Sequence, residues 1–255
     1  MTPIEGIEGQ ALAAGRFRSW AATHPGARRS NNEDQFVNRP DLGLWAVADG
    51  AGGHQAGDVA SGTIADALQR MPLDVAASEM LTQVRGRIAG AHEALRAEAA
   101  RRGEGAILAA ALVVLLVRGE HFACLWAGDS RVYLLRDGAL TQVTSDHSLV
   151  QEMLDAGAIT PDEARTHPSG NVITRAVGAE PEALELEKIT DRLQGNDRFL
   201  LCSDGLCKTL EESELGALLA SPDPASPAEL LVAAALAREA GDNVTAVVVE
   251  VGEVA

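Results

Sequence analysis

Residues 43–61 read GLWAVADGAGGHQAGDVAS. An apolar run, Leu44 to Ala48, ends on a carboxylate, Asp49, and four glycines follow within eight positions (Gly50, Gly52, Gly53, Gly57). Helical spacing then begins, with Ala60, Ile64, Ala67 and Leu68 on one face of residues 57–70. The segment therefore reads as a buried strand, a glycine loop and an amphipathic helix. The strand carries an acidic group out of the core, and the loop gives up side chains so that backbone can turn sharply and expose its carbonyls.

Other apolar runs repeat the strand signal at 107–117, 121–127, 131–136, 198–202 and 244–251. Residues 78–102 have helical periodicity, with Leu81, Val84, Ile88, Ala91 and Leu95 on one face, and further helices are expected at 147–156, 211–220 and 226–240. Helices precede and follow a block of strands, which favours packed antiparallel sheets covered by helices over βαβ alternation. No linker or repeat divides the chain. Residues 1–14 read as a flexible leader and residues 15–255 as one domain.

With 46% hydrophobic but only 3% aromatic residues, the core must be built from Ala, Val, Leu and Ile. The net charge of −16 makes general binding to nucleic acid or an anionic membrane unfavourable, so phosphate handling would need local arginines or metal ions. The longest apolar run, residues 106–117, is too short for a helical bilayer span of about 20 residues. The N-terminus lacks a signal-peptide pattern. Three cysteines without a CxxC pair suggest reduced, buried thiols in a cytoplasmic protein.

Asp49 has counterparts. Asp129 follows Gly128 after the strand at 121–127, Asp204 precedes Gly205 after the strand at 198–202, and Asp242 follows Gly241 before the last strand. Glu33 and Asp34 precede another short apolar stretch. One Asp-Gly pair is most simply a turn. Four strand-end aspartates and an acidic pair, if they converge, would repel one another and call for hard divalent cations. Rival chemistries lack their signatures. None of Cys124, Cys202 and Cys207 has Arg six residues on; those positions hold Ser130, Lys208 and Ser213. The six histidines are scattered without HExxH, and no P-loop occurs.

Taken in order, RSNNED (29–34), VADGAGGHQAG (47–57), AGDSRVYLLRDGAL (127–140), TSDHS (144–148), HPSGNVITRAVG (167–178), LLCSDGL (200–206) and GDNVTAVVV (241–249) resemble the bacterial metal-dependent PPM (type 2C) protein phosphatases. The resemblance runs over about residues 16–251, with the small bacterial phosphatases associated with type VI secretion as a nearby subgroup. It implies an α+β fold, a four-layer αββα sandwich of two antiparallel sheets flanked by helices. It also implies hydrolysis of phosphoserine or phosphothreonine by a water bridging two Mn2+ or Mg2+ ions, with a third ion in some members.

Carried over, Asp49 bridges the two ions, the Gly50 carbonyl binds the first, and Asp204 and Asp242 bind the second. Asp129 serves the third. Glu33 and Asp34 act through metal-bound water, and Arg29 clamps the phosphate. Ala51 stands where many eukaryotic members have a histidine acid, which removes a side-chain acid there, and His54 reads as a structural residue of the glycine loop. Residues 147–177 correspond to the family's variable flap. The implied partners are phosphorylated proteins of a cognate bacterial Ser/Thr kinase, with no nucleic acid or membrane and a monomeric state. Two other readings are a pseudo-phosphatase binding module and a metal-dependent hydrolase of small phosphoesters or nucleotides.

Overall fold

The computed structural model describes residues 6–51, 56–179, 183–221 and 226–252. Its strands are β1 (Glu8–Ala14), β2 (Phe17–His24), β3 (Asp34–Arg39), β4 (Leu44–Ala51), β5 (Ala109–Arg118), β6 (His121–Ala127), β7 (Arg131–Arg136), β8 (Ala139–Gln142), β9 (Glu187–Arg192), β10 (Arg198–Cys202) and β11 (Val244–Val251). They form two antiparallel sheets, ordered β1-β2-β11-β10-β7-β8 and β3-β4-β5-β6-β9. The helices are α1 (Gly57–Gln69), α2 (Met80–Arg102), α3 (Leu149–Asp155), α4 (Pro161–Arg165), α5 (Asp204–Cys207), α6 (Glu212–Ala220) and α7 (Pro227–Ala237).

Period-two alternation along the strands sorts side chains into three hydrophobic layers. In β4, Trp45 and Val47 enter the layer between the sheets, where they join Val113 and Leu115 of β5 and Val247 and Val249 of β11. The opposite face of β4, with Leu44, Ala46 and Ala48, packs under α1 and α2 against Ile64, Leu68, Val84 and Ile88. On the far side, Val244, Ala246 and Val248 of β11 meet Leu215, Leu231 and Val232 of α6 and α7. The layers are therefore helix, sheet, sheet, helix. Both faces of each central strand are covered, which is why these antiparallel strands read as unbroken apolar runs instead of alternating ones. Truncating one such side chain, Ile64→Ala for example, would cost about 2–5 kcal/mol.

The expected αββα sandwich is present, and the six strands read as apolar runs lie within three residues of their expected bounds. Residues 8–14, expected to be part of a flexible leader, instead form β1, an edge strand paired residue by residue with β2. Its outward side chains are exposed, so it has no hydrophobic signature, and the ladder bonds to β2 hold it. Cys124 and Cys202 are buried as expected, whereas Cys207 is half-buried. Among the described residues, no helix is long and apolar enough to cross a membrane.

Candidate active site

The acidic residues gather at one end of the sandwich, where both sheets present strand termini. Asp34 begins β3 and lies directly opposite Asp49 of β4 in the antiparallel register. Asp34 is 2% exposed. Its Oδ2 accepts hydrogen bonds from Ser203 Oγ and Thr245 Oγ1, each at 2.7 Å, and so ties β3 to the ends of β10 and β11 in the other sheet. Its Oδ1 is buried and, among the described residues, has no hydrogen-bond partner. Burial is the largest influence on Asp34. It outweighs the two hydroxyl bonds and, with Asp204 and Asp242 nearby, lifts the pKa to about 7.

Asp49 is half-buried at the end of β4. Loss of solvation, followed by the charges of Asp34, Asp204, Asp129 and Asp242, pushes its carboxyl well above the usual range. The repulsion expected of converging carboxylates is thus present. Asp129 is likewise raised, by burial first and then by Asp204. Glu33 is raised by burial and then by Asp58.

Two glycines are dictated by this crowding. A Cβ on Gly50 would stand 2.2 Å from the Gly57 carbonyl oxygen and 2.7 Å from that of Glu33, so only glycine lets the three segments meet. A Cβ on Gly205 would stand 2.0 Å from the Asn243 carbonyl oxygen. Asp204 and Asp242 therefore approach each other through glycine backbone. His54, with Gly52, Gly53 and Gln55, lies outside the described residues.

Cations of the chain itself hold several of these carboxylates. Arg29 donates through Nε and one terminal nitrogen to the two oxygens of Asp242, both at 2.9 Å. The resemblance assigned Arg29 to substrate phosphate, but here it sits on an acidic neighbour that lies 213 residues away in sequence. Lys208 Nζ donates to Asp204 Oδ2 at 2.8 Å and Asp129 Oδ2 at 3.0 Å. Burial alone would lower the Lys208 pKa, but Asp204 and Asp129 hold it above the ordinary value.

Several organising residues carried no individual sequence signal. Asn243 accepts the Glu33 N–H at 2.8 Å and donates to the Pro25 and Asn31 carbonyls, which fixes the loop bearing Arg29 against the turn bearing Asp242. Arg131 pairs with Asp146 through two nitrogens, and His147 Nδ1 accepts the Gly128 N–H at 3.1 Å. These contacts hold the turn that presents Asp129. The GDN and TSDHS motifs contain Asn243, Asp146 and His147, but the roles of these residues need the fold. Ala51 ends β4 and lines an open cavity of about 640 Å³ with Ala56, Ile107, Leu108 and Ile173.

A divalent ion fits this donor set. The oxygens are carboxylate and carbonyl, one buried carboxylate oxygen lacks a partner, and the negative groups repel one another. Among the described residues, no three acidic, histidine or cysteine side chains already stand in ligating geometry. Lys208 and Arg29 instead occupy oxygens of Asp129, Asp204 and Asp242.

The chain is similar to known proteins in sequence and fold. Residues 26–230 match the protein phosphatase 2C family. The serine/threonine protein phosphatase PstP of Mycobacterium tuberculosis is 37% identical over 235 residues, which are 92% of this chain and 45% of PstP; the chain thus spans less than half of that relative. PppA, described as a key regulatory component of T6SS in Pseudomonas aeruginosa, superposes with a TM-score of 0.85 at 43% identity over 93% of this chain and 98% of its own. The catalytic domain of PstP, solved in complex with two manganese ions, superposes with a TM-score of 0.83 at 35% identity over 93% of this chain and 99% of its own. With a family match over most of its length and relatives above 30% identity, the chain belongs to the protein phosphatase 2C family.

Proposed function

We propose that the chain is a metal-dependent phosphatase of phosphoserine and phosphothreonine in proteins, working with two Mn2+ or Mg2+ ions. The observation that carries this reading is the convergence of Asp34, Asp49, Asp129, Asp204 and Asp242, drawn from both sheets, on one end of the sandwich. Asp49, the Gly50 carbonyl, Asp204 and Asp242 would hold the ions. When bound, the ions supply Lewis acidity: they acidify water and neutralise charge on phosphoryl oxygens. Local cations also make an acidic chain able to receive a phosphoryl group.

The rest is done by the chain. Asp34 stays buried and locks β3, β10 and β11 together through Ser203 and Thr245, so Asp49 and Asp204 keep their spacing. Arg29 is more than half exposed at its side chain and faces the cleft beside Asp242. Its planar fork, paired with Asp242 here, has the geometry to turn to a phosphate. Glu33, anchored by Asn243 at its backbone, offers a carboxyl beside Gly57 whose pKa is raised by burial and then by the charge of Asp58. No side chain of the chain serves as nucleophile in this reading. Cys124 is buried, and burial lifts its thiol far above the usual range.

The cavity beside Ala51, with Ile107, Leu108 and Ile173 in its wall, offers apolar surface to residues flanking a phosphorylated one, which favours a protein over a nucleotide. The segment between β8 and β9, which includes α3 and α4, contributes Ile173 to this wall, and we assign residues 147–177 the role of a flap that selects substrates. The likeness to PppA makes a T6SS-linked bacterial Ser/Thr kinase the first candidate source of substrate, acting in the cytoplasm.

Turnover of a phosphothreonine peptide and of ATP at equal concentration tests the reading. Peptide hydrolysis that EDTA abolishes, Mn2+ restores and a thiol-blocking reagent leaves intact supports it. ATP hydrolysis exceeding peptide hydrolysis would move the chain to the small-phosphoester class, and no hydrolysis of either would make it a binding module.

A further inference from the structure

The resemblance to metal phosphatases places a third, peripheral ion at Asp129. In this chain the position is contested by a lysine. Lys208 follows Asp204 by one helical turn. Its ammonium has three protons, and it meets three acceptors: Asp204 Oδ2 at 2.8 Å, Asp129 Oδ2 at 3.0 Å and Asn171 Oδ1 at 3.1 Å. Asp129 and Asp204 come from the ends of different strands, and Asn171 comes from the segment between β8 and β9. The lysine side chain is one-third exposed, and the Asp129 side chain only 7%.

A hard divalent ion between Asp129 and Asp204 would need carboxylate oxygens at about 2.0–2.6 Å, and Lys208 already holds one oxygen of each. An ammonium bridging the two carboxylates fills the space between them and repels such an ion there. The lysine is also covalently tethered one turn from Asp204, so an ion from solution competes with a cation that never leaves the neighbourhood. The donor set at Asp129 therefore does not fit a third metal while Lys208 stays in place.

We propose that the Lys208 ammonium is a resident cation that replaces a third divalent ion, and that through Asn171 it latches the segment between β8 and β9 to the catalytic end. The proposal rests on the two-ion reading given above. It makes one positive charge permanent where an exchangeable ion would otherwise sit, and it makes flap position independent of metal concentration at that point.

The test is a count of bound Mn2+ per chain, by equilibrium dialysis and calorimetry, on the full chain and on Lys208→Gln and Lys208→Arg. Lys208→Gln is expected to bind one more, weak Mn2+ than the parent, and Lys208→Arg to match the parent. In EDTA-treated protein, amide hydrogen exchange over residues 167–174 is expected to be faster in Lys208→Gln and Asn171→Ala than in the parent. A parent that binds three ions, or a Lys208→Gln protein that gains none, overturns the replacement. Unchanged exchange in both variants overturns the latch. The two-ion reading is judged separately by Asp49→Asn, which loses the tight ions whether or not Lys208 holds a third position.

Discussion

Asp34→Asn should stabilise the metal-free protein and at the same time weaken its response to metal. Asp34 is buried, accepts two hydroxyl hydrogen bonds on one oxygen and has no partner for the other among the described residues. Its pKa is about 7 in the fold against an ordinary value of 3.8. The folded state therefore holds the proton more tightly than the unfolded chain. The stability this contributes is complete below about pH 4 and is lost as pH rises through 7. Each pH unit of that window is worth about 1.4 kcal/mol, so ionising Asp34 costs the metal-free fold up to about 4 kcal/mol at pH 8.

Asparagine is neutral and nearly isosteric. Its carbonyl oxygen can accept from Ser203 and Thr245, and its amide faces the side where Oδ1 is unpartnered. At about 2–4 °C per kcal/mol for a chain of this size, EDTA-treated Asp34→Asn should melt up to about 8–16 °C above the parent at pH 8. The difference should shrink towards pH 5. Adding Mn2+ should narrow the gap, because ions that bind only the folded state add about 2.7 kcal/mol at one hundred times Kd, and the variant offers them less negative charge. Thermal unfolding followed by circular dichroism at pH 5 and pH 8, with EDTA and then with Mn2+, gives all four values. A metal-free variant that melts below the parent at pH 8, or that keeps the parent's pH dependence, refutes the reasoning.

Gly205→Ala should separate Asp204 from Asp242, because the new methyl group meets the Asn243 carbonyl; overpacking of this kind costs about 1–3 kcal/mol, and calorimetry should show weaker Mn2+ binding alongside the lower melting point. Arg29→Ala should lower kcat/KM on a phosphothreonine peptide yet tighten Mn2+ binding by severalfold at most, since the exposed ion pair it removes is worth about 0–1 kcal/mol and competes for Asp242. Weaker metal binding in Arg29→Ala would contradict that competition. Asp49→Asn should lose tight Mn2+ binding and turnover together while remaining folded by circular dichroism.

The sequence reveals the interior of this fold far better than its margins. β4, β5 and β11 are covered on both faces and stand out as apolar runs. β9, EKITDR, is exposed at every position and exists because β6 offers it a ladder, so no pattern in its residues announces it. β2 escapes for another reason: Ser19 pairs with Asn38 and Thr23 with Thr245 in the buried region, so polar residues stand where an apolar run would be sought. At the site, Asp49, Asp129, Asp204 and Asp242 are legible because each sits beside glycine at a strand end. Lys208 is not, since its significance depends on Asp129 and Asn171, which are distant in sequence. The partner of Arg29 is hidden in the same way, because β11 must lie beside β2 before Asp242 can reach it.

The central claim, that strand-end carboxylates from both sheets form one two-ion centre, is tested most directly by anomalous diffraction at the manganese edge from crystals grown with Mn2+. Two strong peaks are expected at the end of the sandwich, one shared by Asp49 and the Gly50 carbonyl and the other by Asp49, Asp204 and Asp242, with Lys208 still seated between Asp129 and Asp204. Peaks elsewhere, or a single peak that leaves Asp49 without an ion, would contradict it.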